Sequence, residues 1–309
     1  MRTVFLGTSS FAVAVLERLA ASEHRPALAL TRPDRPRGRG RKLGAPPVAD
    51  AARTLGIELE QPASVNSPAT RESIARVCPE AVIVCAFGAL VTEPLLSEHE
   101  LLNVHPSLLP RWRGAAPVER AIMAGDARTG VSIMRLTAGL DSGPVCLTES
   151  LPIEPQDTYG SVAERLQALG GNLIVRTLDE AAHGRPLPFA EQAHAGVTYA
   201  EKIGPEDRLL DPARPAQELE RVVRALHPHI GARLQLADGG LLGVHEARIA
   251  GSQQGEDGPP PGELAAGELA GRGDRLLYGT ARGALELLRV QPPGARPMDA
   301  GAYLRGHAV

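Results

Sequence analysis

The chain has 309 residues, of which 43% are apolar and 22% charged, and a net charge of −3. That length suits about two domains, and the composition supports a packed core, which excludes a disordered chain, a disulfide-stapled scaffold and a collagen-like chain. An acidic balance and nine aromatic residues argue, taken over the whole chain, against a general nucleic-acid binder or a base-stacking platform.

Arg2 to Leu6 is a short apolar run broken by Gly7-Thr8-Ser9-Ser10, and Phe11 to Leu19 follows with helical spacing, so the chain opens on strand, turn, helix. Ala27 to Leu30 reads as a strand, Val48 to Leu55 as a helix, Ile57 to Leu59 as a strand and Thr70 to Val77 as a helix. Ala81 to Phe87 is a continuous apolar strand of the kind buried on both faces, and Leu101 to Val104 is another. This alternation predicts a doubly wound, mostly parallel sheet. Val131 to Leu136 and Val145 to Leu151 are later strands at an edge that can run antiparallel, and Tyr159 to Ala182 is one long amphipathic helix.

The pattern changes after Arg185. Residues 185–188 form a Pro-bearing connector, and Glu191 to Gly204 is irregular. Pro215 to Leu226 is a helix, followed by short strands at 233–236, 242–245, 275–278 and 285–290. Asp238-Gly239-Gly240 is a hairpin signal, and several short strands with Gly-rich turns predict a small barrel, with a domain boundary near residue 200. Residues 251–262 read as a Pro/Gly-rich loop. No apolar run approaches the roughly 18 residues that span a bilayer, and no charged-then-apolar leader is evident. Cys78, Cys85 and Cys146 form no Cys-x-x-Cys pair. Neither a metal site nor a disulfide framework is therefore expected, and a cytoplasmic setting is.

Three stretches can carry chemistry. In Leu101 to Gly114, Asn103 and His105 are two apart on a strand, so both side chains project from one face. They stand at the carboxyl end of that strand, where open parallel sheets bind ligands. In Gly139-Leu140-Asp141-Ser142-Gly143-Pro144, Asp141 lies between glycines that free the backbone for close approach. Asn, His and Asp together suit acyl transfer: an amide donor for an oxyanion, a proton shuttle, and a base or orienting carboxylate. No Gly-x-Ser-x-Gly supports a serine hydrolase. No Gly-x-Gly-x-x-Gly or phosphate-binding P-loop supports a nucleotide cofactor, which argues against a dehydrogenase. The third stretch runs from Thr31 to Pro47. Arg32 to Lys42 carries six cations against Asp34, a local +5, so the other 298 residues carry −8. Its prolines and glycines make helix or strand improbable. We therefore expect a long exposed loop whose arginines suit phosphate oxygens.

At these residues a family resemblance emerges. NVHPSLLPRWRGAAP followed by GLDSGPV resembles the signature of the formyltransferases that use 10-formyltetrahydrofolate. PDRPRGRGRKL resembles the loop found in the methionyl-tRNA formyltransferases of that superfamily. TYAEKIGPEDRLLD, RVVRALHP and VQPPGARPMDAGAYL extend the likeness over nearly the whole chain. The resemblance implies a Rossmann-like catalytic domain over 1–189, a linker at 190–206 and an OB-type barrel over 207–309 that supports tRNA. It implies catalytic roles for Asn103, His105 and Asp141, and a folate site bordered by Ser107, Leu108, Leu109, Pro110, Phe87 and Gly88, with Phe87 replacing the common Tyr. It implies tRNA contacts from Arg35, Arg37, Arg39, Arg41 and Lys42, with Arg39 matching the residue that reads the acceptor end. The implied co-substrates are 10-formyltetrahydrofolate and initiator methionyl-tRNA, used by a monomer without metal or membrane. A sugar formyltransferase or formyl-folate hydrolase would keep the same three residues. The basic loop and the barrel distinguish these rivals, and the intact catalytic set argues against a non-catalytic tRNA-binding protein.

Overall fold

The structure of the protein, a computed structural model, describes residues 1–37, 42–251 and 264–307. The chain divides into two compact units. The first comprises Met1–Pro117, Arg128–Leu151 and Ala163–Ala200; the second comprises Val118–Ala127, Pro152–Val162 and Glu201–Val309.

The elements from the amino end to the middle of the chain are β1 (Thr3–Gly7), α1 (Ser10–Ala20), β2 (Pro26–Leu30), β3 (Arg35–Arg37), β4 (Lys42–Gly44), α2 (Pro47–Leu55), β5 (Glu58–Glu60), α3 (Pro68–Val77), β6 (Ala81–Cys85), α4 (Leu95–Glu98), β7 (Leu101–His105), β8 (Arg113–Gly114), α5 (Pro117–Ala124), β9 (Arg128–Arg135), β10 (Val145–Pro152), α6 (Tyr159–Ala182) and β11 (Tyr199–Ala200). Seven strands form one sheet in the order β10-β9-β7-β6-β1-β2-β5. The pairs β1–β2, β1–β6, β2–β5 and β6–β7 are parallel, and β9 runs antiparallel to β7. Every residue of β1, β6 and β7 is buried, which is why these strands read as near-continuous apolar runs rather than alternating ones. Helix α1 buries Phe11, Ala12, Val15, Leu16 and Leu19, one face at helical spacing. Helix α3 starts where the Ser67 hydroxyl accepts from the Thr70 amide, with Pro68 in the first turn, and α2 ends at Gly56 in the left-handed region.

The second unit holds α7 (Ala216–Leu226), β12 (Ala232–Gln235), β13 (Leu241–Ile249), β14 (Leu269–Arg272), β15 (Arg275–Gly279), β16 (Ala284–Gln291), β17 (Met298–Asp299) and α8 (Ala300–Gly306). Its strands form a separate antiparallel sheet, β12-β13-β16-β15-β14, with β17 on β16. The hairpin signal at 238–240 does join β12 to β13: the Asp238 carboxylate accepts from the Gly240 amide at 2.8 Å. Leu219, Val222, Val223 and Leu226 of α7 pack with Leu234, Leu242, Leu276, Leu285 and Leu287 in one core.

Two sequence expectations need correction. The basic segment is not wholly loop, because its flanks pair as an antiparallel ribbon, Arg35 with Gly44, Pro36 with Leu43 and Arg37 with Lys42. A two-stranded ribbon is all edge, so the missing N–H of Pro36 interrupts no interior ladder. Residues 38–41, with Arg39 and Arg41, lie outside the described residues, as does 252–263 of the second loop. The stretch 191–204 is not wholly irregular either, since Tyr199–Ala200 pairs in parallel with Arg113–Gly114. The short helices α4, α5 and α8 were not apparent in the sequence periodicity.

Candidate active site

The site is built at the carboxyl end of β7. Period-2 geometry puts Asn103 and His105 on one face. Pairing on both sides fixes their depth: Asn103 lies opposite Val84 of β6 and Met134 of β9, and His105 opposite Ser132. Asn103 is 8% exposed and His105 4%, so neither side chain is a solvated strand end.

Asp141 arrives from the segment between β9 and β10 and meets both. Asn103 Nδ2 donates to Asp141 Oδ1 at 3.4 Å, and His105 Nδ1 stands 3.7 Å from Asp141 Oδ2. The same Oδ2 accepts from the Gly114 amide at 2.8 Å. Because Nε2 of His105 is 2.9 Å from the Trp112 carbonyl, which can only accept, Nε2 carries a hydrogen. In the neutral ring Nδ1 is then a lone pair facing a carboxylate, and a proton gained at Nδ1 lies between the two groups.

The loop after β7 is held rigidly. Ser107, fully buried, donates from Oγ to the Arg111 carbonyl at 2.6 Å. Ser132 Oγ donates to the Ser107 carbonyl at 2.8 Å and accepts from the Leu109 amide at 3.2 Å. The Leu109–Pro110 peptide is cis. The Trp112 amide donates to Thr198 Oγ1 at 2.9 Å, and the Arg111 guanidinium lies 4.3 Å over the Trp112 ring. Four described non-glycine residues have positive φ: Cys78 (49°) ends helix α3, and the other three, Ala86, Trp112 and Asp141 (43°, 63° and 42°), adopt a conformation that costs energy and gathers at functional sites. Glycine is required at two places. Gly114 has φ +119°, and a Cβ there would lie 2.8 Å from the Ala200 carbonyl oxygen; a Cβ on Gly143 would collide with the Arg135 carbonyl.

The structure thus brings Asn103, His105 and Asp141 together. Leu108, Leu109 and Pro110 are half-buried along one rim. Ser107 turns inward to shape the loop, and the Phe87 ring lies in the core with Val4, Leu6 and Val84. At this position a ligand would therefore meet the backbone of 86–88. Gly88 is exposed, and its carbonyl accepts from the Arg32 guanidinium at 3.0 Å. At the base of the basic ribbon, the Gln61 amide donates to the Arg32 carbonyl and to Asp34 Oδ1 at 3.0 and 2.7 Å. Arg35 is exposed, and Arg37 and Lys42 are placed by their backbone pairing. Sequence reading missed Trp112, whose carbonyl sets the imidazole, and Gln192 and Thr198, which bind the site from a segment with no periodic signal.

Among the described residues no helix is long and apolar enough to cross a membrane. Residues 1–178 match the family model described as formyl transferase, and residues 202–308 match that described as formyl transferase, C-terminal domain. A methionyl-tRNA formyltransferase of Phenylobacterium zucineum is 45% identical over 312 residues, covering 100% of this chain and 98% of that protein. One of Halorhodospira halophila is 40% identical over 311 residues, covering 100% and 97%. Among solved structures, an N-formyltransferase from Helicobacter canadensis in complex with folinic acid and dTDP-3-aminofucose superposes with a TM-score of 0.63 at 12% identity, covering 96% of this chain and 99% of that one. HypX from Aquifex aeolicus in complex with tetrahydrofolic acid gives 0.64 at 18% identity; the match covers 98% of this chain but 47% of that longer protein. At such identities these two structures speak to the fold. The family matches and the full-length identities are decisive: the chain belongs to the formyl transferase family, alongside the methionyl-tRNA formyltransferases.

Proposed function

We propose that this protein transfers the formyl group of 10-formyltetrahydrofolate to the α-amino group of methionyl initiator tRNA. The observation that carries this reading is the convergence of Asn103, His105 and Asp141 at one strand end, in a chain that aligns end to end with methionyl-tRNA formyltransferases. We read residues 1–189 as the catalytic domain, 190–206 as a linker and 207–309 as an OB-type barrel that supports tRNA. The protein works as a cytoplasmic monomer and needs no metal.

The chemistry follows from the donor set. An amide nitrogen has two hydrogens, so Asn103, having engaged Asp141 with one, has a second for the carbonyl oxygen that becomes negative. His105 can add a donor only through Nδ1, because Nε2–H is held by the Trp112 carbonyl. It therefore reaches the oxyanion through a proton carried on Nδ1, on the side where Asp141 Oδ2 stands 3.7 Å away. An α-amine with an ordinary pKa of roughly 7.7–8 needs little activation, and Asp141 accepts the proton it sheds on attack. The same network returns a proton to the departing nitrogen of the donor. The folate is bordered by Leu108, Leu109, Pro110 and the backbone of Phe87 and Gly88, with Ser107 fixing the loop they stand on. A half-exposed apolar rim beside a buried amide suits a flat heterocycle with a polar end.

Arg35, Arg37, Arg39, Arg41 and Lys42 meet tRNA phosphates, with Arg39 at the acceptor end. The test is a formylation assay with 10-formyltetrahydrofolate and three acceptors: methionyl initiator tRNA, methionyl elongator tRNA and free methionine. Product on the initiator species alone supports the reading. Product on free methionine assigns a small-molecule formyltransferase, and formate release without transfer assigns a hydrolase.

A further inference from the structure

We propose that Gln192, in the segment that follows the catalytic domain's last helix, is a positioning residue for the reaction, acting through Asp141. The proposal rests on the reading that Asp141 is catalytic. Gln192 Nε2 donates to the Asp141 carbonyl and to the Gly143 carbonyl, each at 2.8 Å. Its Oε1 accepts twice from one guanidinium, Arg113 Nε at 3.0 Å and Nη2 at 2.7 Å. These partners fix the amide's orientation, since the end facing two carbonyls must donate and the end facing arginine must accept. Only a side chain with a donor end and an acceptor end satisfies both sides.

The geometry makes this a clamp. Arg113 and Gly114 form β8; the Gly114 amide holds the Asp141 carboxylate, while the Arg113 side chain, through Gln192, holds the Asp141 backbone. Asp141 is a non-glycine residue at φ +42°, a conformation its own sequence does not favour, so its position depends on such external bonds. Binding the carbonyls of 141 and 143 pins both sides of the turn. That in turn sets the 3.4 Å approach to Asn103 and the 3.7 Å approach to His105. The strand pairing of Tyr199–Ala200 on β8 and the Thr198–Trp112 bond hold the same segment in place. A stretch that reads as connector thus closes the site from behind. A displacement of about 1 Å at a reacting group costs on the order of 100-fold in rate.

The experiment compares Gln192→Ala, Gln192→Glu and Asp141→Asn with the full-length wild type, measuring kcat, the KM for both substrates, and thermal melting. Gln192→Glu keeps the length and the Arg113 partner but turns an acceptor toward two carbonyls, so it isolates the amide donors from packing. The expected result is a kcat loss of roughly 10–100-fold in both Gln192 variants, with each KM within about threefold and a folded protein. Wild-type kcat in either folded variant overturns the proposal. So does a loss confined to KM, or a chain that no longer folds, which would make the amide purely structural. Asp141→Asn at the wild-type rate would instead remove the reading on which the proposal rests.

Discussion

His105 and Trp112 are joined by a 2.9 Å bond from the imidazole Nε2 to the tryptophan carbonyl, and this bond leaves Nδ1 as the nitrogen that faces Asp141. The carbonyl is available because Trp112 takes a left-handed conformation, φ +63°, held by Thr198 through its amide. One backbone oxygen thereby selects the tautomer of the neutral ring and leaves Nδ1 to take up any further proton, on the side where the carboxylate stands.

Replacement of His105 by Ala should therefore cost activity and stability separately. Loss of the proton carrier predicts a kcat decrease of about 10²–10⁴-fold. The Trp112 carbonyl loses its donor beside a buried strand end, which should cost about 1–3 kcal/mol in a denaturant melt. A folded His105→Ala protein with near-wild-type turnover would remove His105 from the chemistry.

Asp141→Asn keeps the shape and leaves one oxygen able to accept from Asn103 or from Gly114, while removing the base. The expected result is a folded protein, destabilised by about 1–3 kcal/mol where one donor now faces the amide NH2, with kcat reduced by roughly 10²–10⁴-fold and modest change in folate affinity. Folate titration followed by single-turnover formylation separates the two quantities.

Gly114→Ala tests the backbone. At φ +119° an L-residue is strained, and the added methyl would lie 2.8 Å from the Ala200 oxygen, so the β8–β11 pairing must shift. A penalty of about 1–3 kcal/mol is expected. The Gly114 amide is also the 2.8 Å donor to Asp141, so kcat should fall with it. Equal stability and equal kcat would show that the loop tolerates a side chain there.

How much of this was readable in the sequence depended on the range of the forces involved. The buried strands β1, β6 and β7 announce themselves because two covered faces demand unbroken apolar runs, and Asn103 and His105 follow from period-2 spacing at the end of one of them. Asp141 stood out only as a polar residue between glycines. Gln192 was not visible, since its hydrogen bonds reach 49 to 79 residues back along the chain and leave no local period. The ribbon of β3 and β4 was masked by composition: Pro36 argues against a strand by propensity, yet cross-strand pairing of Arg35 with Gly44 and Arg37 with Lys42 decides the backbone.

The thiols give an independent check of the fold. Cys78 is exposed, whereas Cys85 and Cys146 are buried. Burial raises the Cys85 thiol far above its ordinary range and pushes Cys146 up to about 11. The thiolate is the reactive form, so at pH 8 both buried groups stay protonated and unreactive. A thiol reagent should label one cysteine quickly in the native protein and three in denaturant. Fast native labelling at Cys85 would mean that β6 is not a central strand.

The basic ribbon should govern tRNA use independently of the chemistry. Arg35 is exposed on its first strand, and the cations from Arg32 to Lys42 stand against an otherwise acidic chain. Phosphate contact releases counterions, so the logarithm of affinity falls with the logarithm of salt by about 0.7–0.9 for each contact. Arg39→Ala should raise the KM for tRNA several-fold, leave folate binding unchanged and flatten the salt slope by about one contact. The −8 carried by the remaining residues should disfavour sequence-independent binding elsewhere on the surface. Neutralising Arg35, Arg37 and Arg39 together should then remove most tRNA affinity rather than a fraction of it. Filter binding at several ionic strengths measures this directly; a triple variant with the wild-type slope would show that the phosphates are met by some other surface.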